Sequence, residues 1–289
     1  MRSDVSLYDL TAPASLNDVL ARLAAEPGRH SVIAGGTELM VALNTGRLAQ
    51  RSLLSIQHLR ELRFIRVEED AIHLGSGTTF TDIRRHELIA KEFPLLSQAA
   101  SWTGSVANQN RGTLGGNLCN ASPAADSPPT LLAYDATVTL ISASGERTVP
   151  YGSFHLGYKK TVLRPEELVH SITVPRAFNG YRQSIRKVGT RNAQAISKIA
   201  LAMVARVEDE CITDIRIGAA SLADRPIRCT AAEAALVGRR IEAETFEALV
   251  RDARAALASE AKPIDDIRST AKYRATVAAN LLEEFLRSL

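Results

Sequence analysis

Apolar residues along the chain recur in two rhythms. Leu16, Val19, Leu20 and Leu23 fall three and four apart, on one face of a helix spanning Ser15–Ala25 with Ser15 as its N-cap. Pro27-Gly28 ends that helix. His30–Ala34 is a short apolar run of strand type, stopped by Gly35-Gly36. Thr37–Leu48 returns to helical spacing through Leu39, Met40 and Leu43. With a short strand at Leu7–Leu10, the chain opens as strand, helix, strand, glycine turn, helix. Ser52–Ile56 reads as a strand, and Phe64–Val67 with Ala71–Gly75 as a hairpin around Glu68–Asp70. Helical spacing resumes from Asp82 to Lys91 and over Phe93–Ser105.

Arg111–Asp126, RGTLGGNLCNASPAAD, breaks both rhythms and reads as a turn-rich segment. Beyond it lie a short helix at Thr130–Tyr134, an alternating strand at Thr137–Ser142 turning at Ser144-Gly145, and a strand at Leu168–Val174 closed by Pro175. A boundary falls near Pro175–Gly180. Strands Tyr181–Val188, Lys198–Val207 and Ile212–Ala220 follow, then helices Ala231–Leu236, Ala243–Leu257 and Ala271–Leu289. Such uneven alternation predicts an α+β protein rather than a doubly wound sheet. The expected domains are residues 1–178, in lobes of about 1–57 and 58–178, and residues 179–289.

Composition narrows the function. The net charge of +3 is small and no Lys/Arg run is polybasic, so nothing points to nucleic acid. No apolar run reaches the roughly 20 residues of a membrane span, and MRSDVSLYDL lacks the core of a signal peptide, so a cytoplasmic protein is expected. The three cysteines form no Cys-x-x-Cys pair, and no metal site or iron–sulfur cluster is expected on this chain. Cys119 reads as a small side chain beside a turn. The six histidines form no constellation, and no catalytic acid or base is assigned.

The glycine turns carry the chemistry. Successive N–H groups in a Gly-Gly turn, followed by a helix start, form an anion-binding concavity. AGGTEL has that form, although alone it reads more readily as a structural tight turn. It lacks the Gly-Lys-Ser/Thr of a Walker motif and is not G-x-G-x-x-G. RGTLGGN is a second stretch of small residues that lets a ligand come close to the backbone. Two such turns suit one ligand with a pyrophosphate and a large flat ring, and FAD is such a ligand. Asp126 either contacts the ligand or caps the helix opening at Ser127-Pro128-Pro129. Arg111 either binds phosphate or pins its loop to a carboxylate.

Val32–Leu39 (VIAGGTEL) with Arg111–Asn117 (RGTLGGN), Ser122-Pro123 and Asp126 resembles the FAD-binding, medium subunit of the xanthine dehydrogenase and carbon monoxide dehydrogenase family of molybdenum hydroxylases. Pro165-Glu166-Glu167-Leu168, Arg186-Lys187 with Arg191 and Ile196, and Tyr273-Arg274 extend the resemblance across nearly the whole chain. It implies a two-lobed FAD-binding domain of the vanillyl-alcohol-oxidase (PCMH) type, followed by a carbon-monoxide-dehydrogenase flavoprotein C-terminal domain. Val32, Ile33, Ala34, Gly35, Gly36, Thr37, Glu38 and Leu39 would form the pyrophosphate loop. The Thr37 hydroxyl would join the N–H groups there, and the Glu38 side chain has no assigned chemistry. Arg111, Gly112, Thr113, Gly115, Gly116 and Asn117, with Ser122, would hold the second flank, Gly115 and Gly116 admitting the ligand. Asp126 would accept from an FAD hydroxyl. The backbone at Leu168 and the Lys187 side chain would meet the polar edge of the flavin, and Ile196 would lie over the ring.

Two departures qualify what the resemblance implies. Family members that react with NAD and come from eukaryotes carry an aromatic residue at the position of Thr103, whereas here the aromatic is Trp102. One residue turns a helical side chain by about 100°, so Trp102 is expected to pack elsewhere and the electron acceptor stays open. The cysteine-rich insertion of the benzoyl-CoA reductase branch is absent, and Glu38 leans toward the xanthine dehydrogenase side. The implied function is electron transfer through FAD. Electrons would come from [2Fe–2S] clusters of a small subunit beside a large molybdopterin-binding subunit, in a dimer of heterotrimers, and pass to NAD+ or another acceptor. A stand-alone flavin reductase or oxidase of the same fold, or a non-catalytic nucleotide-binding subunit, is the alternative.

Overall fold

The structure is a computed structural model that describes residues 4–191 and 194–289. Its first lobe is a parallel sheet in the order β1-β3-β2, with β1 at Asp9–Thr11, β2 at His30–Ile33 and β3 at Ser52–Ser55. Helix α1 (Leu16–Ala25) joins β1 to β2 and buries the predicted stripe of Leu16, Val19, Leu20 and Leu23. Ser15 caps it by accepting from the Asp18 N–H. Helix α2 (Leu39–Asn44) is shorter than its apolar spacing suggests. Gly46, at φ +70°, ends it as Arg47 N–H donates back to the Ala42 carbonyl. The N-terminal strand also shifts: Val5–Leu7 is a tight 3₁₀ turn held by the Asp4 side chain, and pairing starts only at Asp9.

The second lobe is an antiparallel sheet in the order β4-β5-β10-β6-β7. Its first hairpin is β4 (Ile65–Val67) and β5 (Ala71–Gly75). Six short helices follow. The stretch read as one helix from Asp82 is two, α3 (Phe80–Arg85) and α4 (Glu87–Glu92). They break at His86, whose extended backbone lets its ring accept from the Ile89 N–H. Helix α5 (Pro94–Trp102) stops short of Ser105 because Gly104 turns the chain at φ +61°. Two helices were not expected. In α6 (Val106–Arg111), Ser105 and Asn108 form a capping box, and α7 (Leu114–Cys119) is capped by Thr113. Helix α8 (Pro128–Ala133) then leads to β6 (Thr137–Ser142) and β7 (Gly145–Pro150). A small hairpin of β8 (His155–Gly157) and β9 (Lys160–Thr161) precedes β10 (Leu168–Pro175).

The last segment is an antiparallel sheet of β11 (Arg182–Val188), β12 (Ile199–Glu208), β13 (Cys211–Ala220) and β14 (Ile227–Arg228). Helices α9 (Thr230–Leu236), α10 (Phe246–Glu260) and α11 (Ala271–Leu286) cover one face. Successive side chains of a strand point to opposite faces, and β12 divides accordingly. Leu201, Met203 and Ala205 face the helices, while Ala202 and Val204 join the core of the preceding lobe. Helix α8 packs so closely on this sheet that a Cβ on Gly218 would overlap the Pro129 carbonyl. Tyr134 donates its hydroxyl to Gln183 at 2.6 Å, and Asp135 accepts from Arg228 and, at 3.0 Å, from Arg216.

Candidate functional site

The two glycine turns touch. A Cβ on Gly35 would overlap the Arg111 carbonyl oxygen, so only glycine fits there. The Arg111 guanidinium donates to the Gly35 carbonyl at 3.1 Å and to Gln57 Oε1 at 2.7 Å. Arg111 thus pins one turn to the other through a carbonyl and an amide, with no carboxylate in the contact.

The turns differ in what their backbones have left to offer. Among the described residues, the N–H groups of Gly35, Gly36, Thr37, Glu38 and Leu39 meet no acceptor in the chain. Gly36, at φ +74°, turns this run so that α2 begins directly after it. Successive unpaired donors of this kind form a concavity for an anion. Val32 and Ile33, just before, point their side chains into the apolar clusters of the first lobe. The second turn is closed. Leu114 N–H donates to Thr78 O, Gly115 N–H to Ser76 O, Gly116 N–H to Thr113 Oγ1 and Asn117 N–H to Thr113 O. The space that a Cβ on Gly115 would take is filled by Ser76, so a neighbouring strand end packs directly on that glycine. Gly112 is likewise tight, against the Asn108 carbonyl, whereas Gly116 is exposed. Asn117 accepts from Ser127 Oγ at 2.7 Å, and Ser122 Oγ accepts from Ala124 N–H at 3.3 Å. These side chains shape the loop that delivers Asp126.

Asp126 does not cap α8, a position taken by Ser127. Its carboxylate lies under the C-terminal domain. Lys187 Nζ donates to Oδ2 at 2.8 Å and Ser197 Oγ to Oδ1 at 3.0 Å. The side chains of Lys187 and Asp126 are only 10% and 11% exposed. Burial pushes the Asp126 carboxyl up, and the charge and hydrogen bond of Lys187 with the Ser197 hydroxyl pull it back. Lys187 also donates to the Trp102 carbonyl at 3.2 Å. An ammonium has three donors, so one remains. Ser197 is fully buried, and its carbonyl accepts from Ser221 Oγ at 3.0 Å. Ser221, at φ +63°, donates its N–H to the Pro123 carbonyl at 2.7 Å. Ser197 and Ser221 had no motif to mark them in the sequence.

The remaining expected residues lie in different surroundings. Trp102 packs partly buried against the core of the second lobe. Thr103 turns its hydroxyl back to the Ala99 carbonyl at 2.9 Å. Leu168 is buried beside α1, at the start of β10. Ile196 is 53% exposed, one residue before Ser197. Cys119 is solvent-accessible, and the protein mass around it pushes its thiol up to about 12. His155 pairs with the Tyr151 hydroxyl at 3.0 Å; burial and the Arg225 charge pull it down to about 4, so it is neutral at physiological pH. Among the described residues, no His, Cys, Asp and Glu side chains gather as a metal site. No helix there is long and apolar enough to cross a membrane.

Residues 6–177 match the family model for the FAD binding domain in molybdopterin dehydrogenase, and residues 183–289 match that for the CO dehydrogenase flavoprotein C-terminal domain. The chain belongs to the FAD-binding subunits of the molybdenum hydroxylase family. It is 31% identical over 246 residues to the glyceraldehyde dehydrogenase medium chain of Sulfolobus acidocaldarius, covering 85% of each chain. It is 32% identical over 238 residues to the xanthine dehydrogenase FAD-binding subunit of Escherichia coli O157:H7, covering 82% of this chain and 81% of that one. A solved chain of the carbon monoxide dehydrogenase from Hydrogenophaga pseudoflava that lacks the Mo-pyranopterin moiety superimposes with a TM-score of 0.90 at 28% identity, over 96% of this chain and 95% of that one.

The donor set suits the family's cofactor. FAD carries a diphosphate that only accepts hydrogen bonds, and this FAD-binding subunit presents a run of backbone donors with no internal acceptor. Its family segment Glu166-Glu167-Leu168 has an internal role: Glu167 binds Arg147 at 2.7 and 2.8 Å and accepts from Arg164 N–H at 2.9 Å.

Proposed function

We propose that this chain is the electron-output subunit of a heteromeric molybdenum hydroxylase. It receives electrons from [2Fe–2S] clusters of a small partner subunit and passes them to NAD+ or another acceptor. A large molybdopterin-binding subunit oxidises the substrate, within a dimer of heterotrimers. The observation that carries the reading is the run of unpaired N–H groups from Gly35 to Leu39, locked beside Arg111.

In this reading the N–H groups of Gly35–Leu39 and the Thr37 hydroxyl hold the diphosphate of FAD. The Arg111–Gln57 contact keeps the loop against the second turn. Asp126 and the remaining donor of Lys187 face the polar parts of the cofactor, and a cation there favours added negative charge on the ring. Ile196, an exposed apolar side chain, would cover the flat ring and exclude water. Bound FAD supplies the exchange between one-electron and two-electron transfer. The contact between Asp126 and Lys187 holds both groups in fixed places, and no acid or base of this chain is needed for oxidation of the substrate, which takes place on the partner subunit.

Copurification with metal analysis and a visible spectrum tests the reading. The expected result is a yellow chain that travels with an iron–sulfur protein and a molybdenum protein. A chain that stays colourless after reconstitution with FAD would overturn it.

A further inference from the structure

The loop at 35–39 offers donors but no cation of its own, and its one charged side chain is the acidic Glu38. Arg111 is committed to the Gly35 carbonyl and to Gln57. A cation from another part of the chain stands near it. Lys159 lies in the turn between β8 and β9 at φ +56°, a left-handed conformation that few non-glycine residues adopt. Backbone strain of this kind clusters at ligand clamps. Lys159 Nζ donates to the Asn120 carbonyl at 2.9 Å and to Asn120 Oδ1 at 2.7 Å, at the end of α7. It stands 4.0 Å from Glu38 Oε1, beyond hydrogen-bond reach. Two of its three donors are used by Asn120; among the described residues the third has no hydrogen-bond acceptor, and the acidic group standing 4.0 Å away is Glu38 of the glycine loop. Burial pulls its pKa down while Glu38 opposes the shift, so the charge is held in a partly desolvated place.

We propose that Lys159 is a diphosphate-binding residue, supplying to the anion cradled by Gly35–Leu39 the counter-charge that this loop lacks. Glu38, 63% exposed in its side chain, turns away to solvent when the stronger anion binds. The inference rests on the FAD reading above and adds to it a residue from a different hairpin. Lys159 is a poor candidate for a solely structural lysine, because a cap on the α7 carbonyls needs no strained backbone and no proximity to Glu38.

The test uses the full chain with Lys159→Gln, Lys159→Arg and Asn120→Ala. FAD affinity is measured by flavin fluorescence at low and high salt, and thermal melting is followed without FAD. Lys159→Gln is expected to weaken FAD binding about tenfold or more, the loss of one charge-assisted hydrogen bond. It should also flatten the salt dependence, because a screened charge pair is gone. Lys159→Arg should restore both. Wild-type affinity and salt dependence in Lys159→Gln would overturn the proposal while leaving the FAD reading intact. So would a loss of affinity matched by Asn120→Ala, with lower melting and unchanged salt dependence, since that marks a structural prop. A wild-type chain that binds no FAD would overturn both.

Discussion

Lys187 Nζ lies 2.8 Å from Asp126 Oδ2 and 3.2 Å from the Trp102 carbonyl, so one ammonium on β11 closes two segments of the preceding domain. The pair is almost buried, and its geometry has consequences for stability and for cofactor retention together.

Removing one member of a buried ion pair leaves the other uncompensated, at a cost of about 3–5 kcal/mol. Lys187→Met and Asp126→Ala are each expected to lower unfolding free energy by that order and to reduce FAD content markedly. The double variant should recover part of the stability and none of the cofactor. Urea unfolding and the flavin-to-protein absorbance ratio read the two effects. Unchanged flavin occupancy in Asp126→Ala would count against its place in the site.

Gly35 and Gly36 are neighbours with different constraints. A Cβ at 35 meets the Arg111 backbone, which cannot rotate aside, whereas Gly36 has room at 3.4 Å and longer but needs φ +74°. Gly36→Ala should cost about 1–2 kcal/mol, the usual penalty of the left-handed region. Gly35→Ala should cost more and abolish FAD binding, because the two turns are forced apart. Equal melting temperatures for the two variants would contradict this.

Arg111 fastens the loop from its other side. Arg111→Ala removes two hydrogen bonds from a partly exposed guanidinium. A loss of about 1–2 kcal/mol is expected, with FAD binding weakened severalfold and the far-UV spectrum unchanged. FAD titration by fluorescence decides it; an affinity equal to wild type would show that Gly35 holds its place without the arginine.

Asp266 gives the acid limb of stability a defined origin. Desolvation pushes its carboxyl up, but hydrogen bonds from Arg268 and Ser269 N–H and from the Arg268 side chain, with the Arg274 charge, hold it at about 2, against an ordinary 3.8. A carboxyl depressed in the folded state stabilises the fold at pH above its ordinary value. That contribution is lost as pH falls from 3.8 through about 2. Asp266→Asn should therefore be less stable at neutral pH and show a shallower decline over that window. A parallel pH profile for the variant, measured by urea unfolding, would exclude the assignment.

Part of this arrangement was legible from residue types. Paired glycines at a strand end and Asp126 ahead of Ser127-Pro128-Pro129 are locally marked, whereas Lys187, on the largely polar strand β11, came into view only through the family resemblance. What separates the turns was not legible. Both read as ligand-admitting, and the structure adds that a Cβ at Gly35, Gly112 or Gly115 would meet backbone or Ser76 of the protein itself. A glycine looks the same whether its neighbour is a ligand or the protein. Helices α6 and α7 were missed because short helices owe their stability to caps: Ser105 with Asn108, and Thr113 with Gly116. Ser197 and Lys159 act through partners about 70 and 40 residues distant in sequence, and no local pattern carries such separation.

Strand β12 faces two cores, with Ala202 and Val204 on one side and Leu201, Met203 and Ala205 on the other. A chain cut after residue 178 would leave the second half with a wet apolar wall and the first half with an open seam. The boundary expected from the sequence is thus a line of chain connectivity, and the two halves are expected to unfold together across it. Truncation should give aggregation rather than two working halves, and under the proposed function FAD would be retained only by a subunit whose halves have already met.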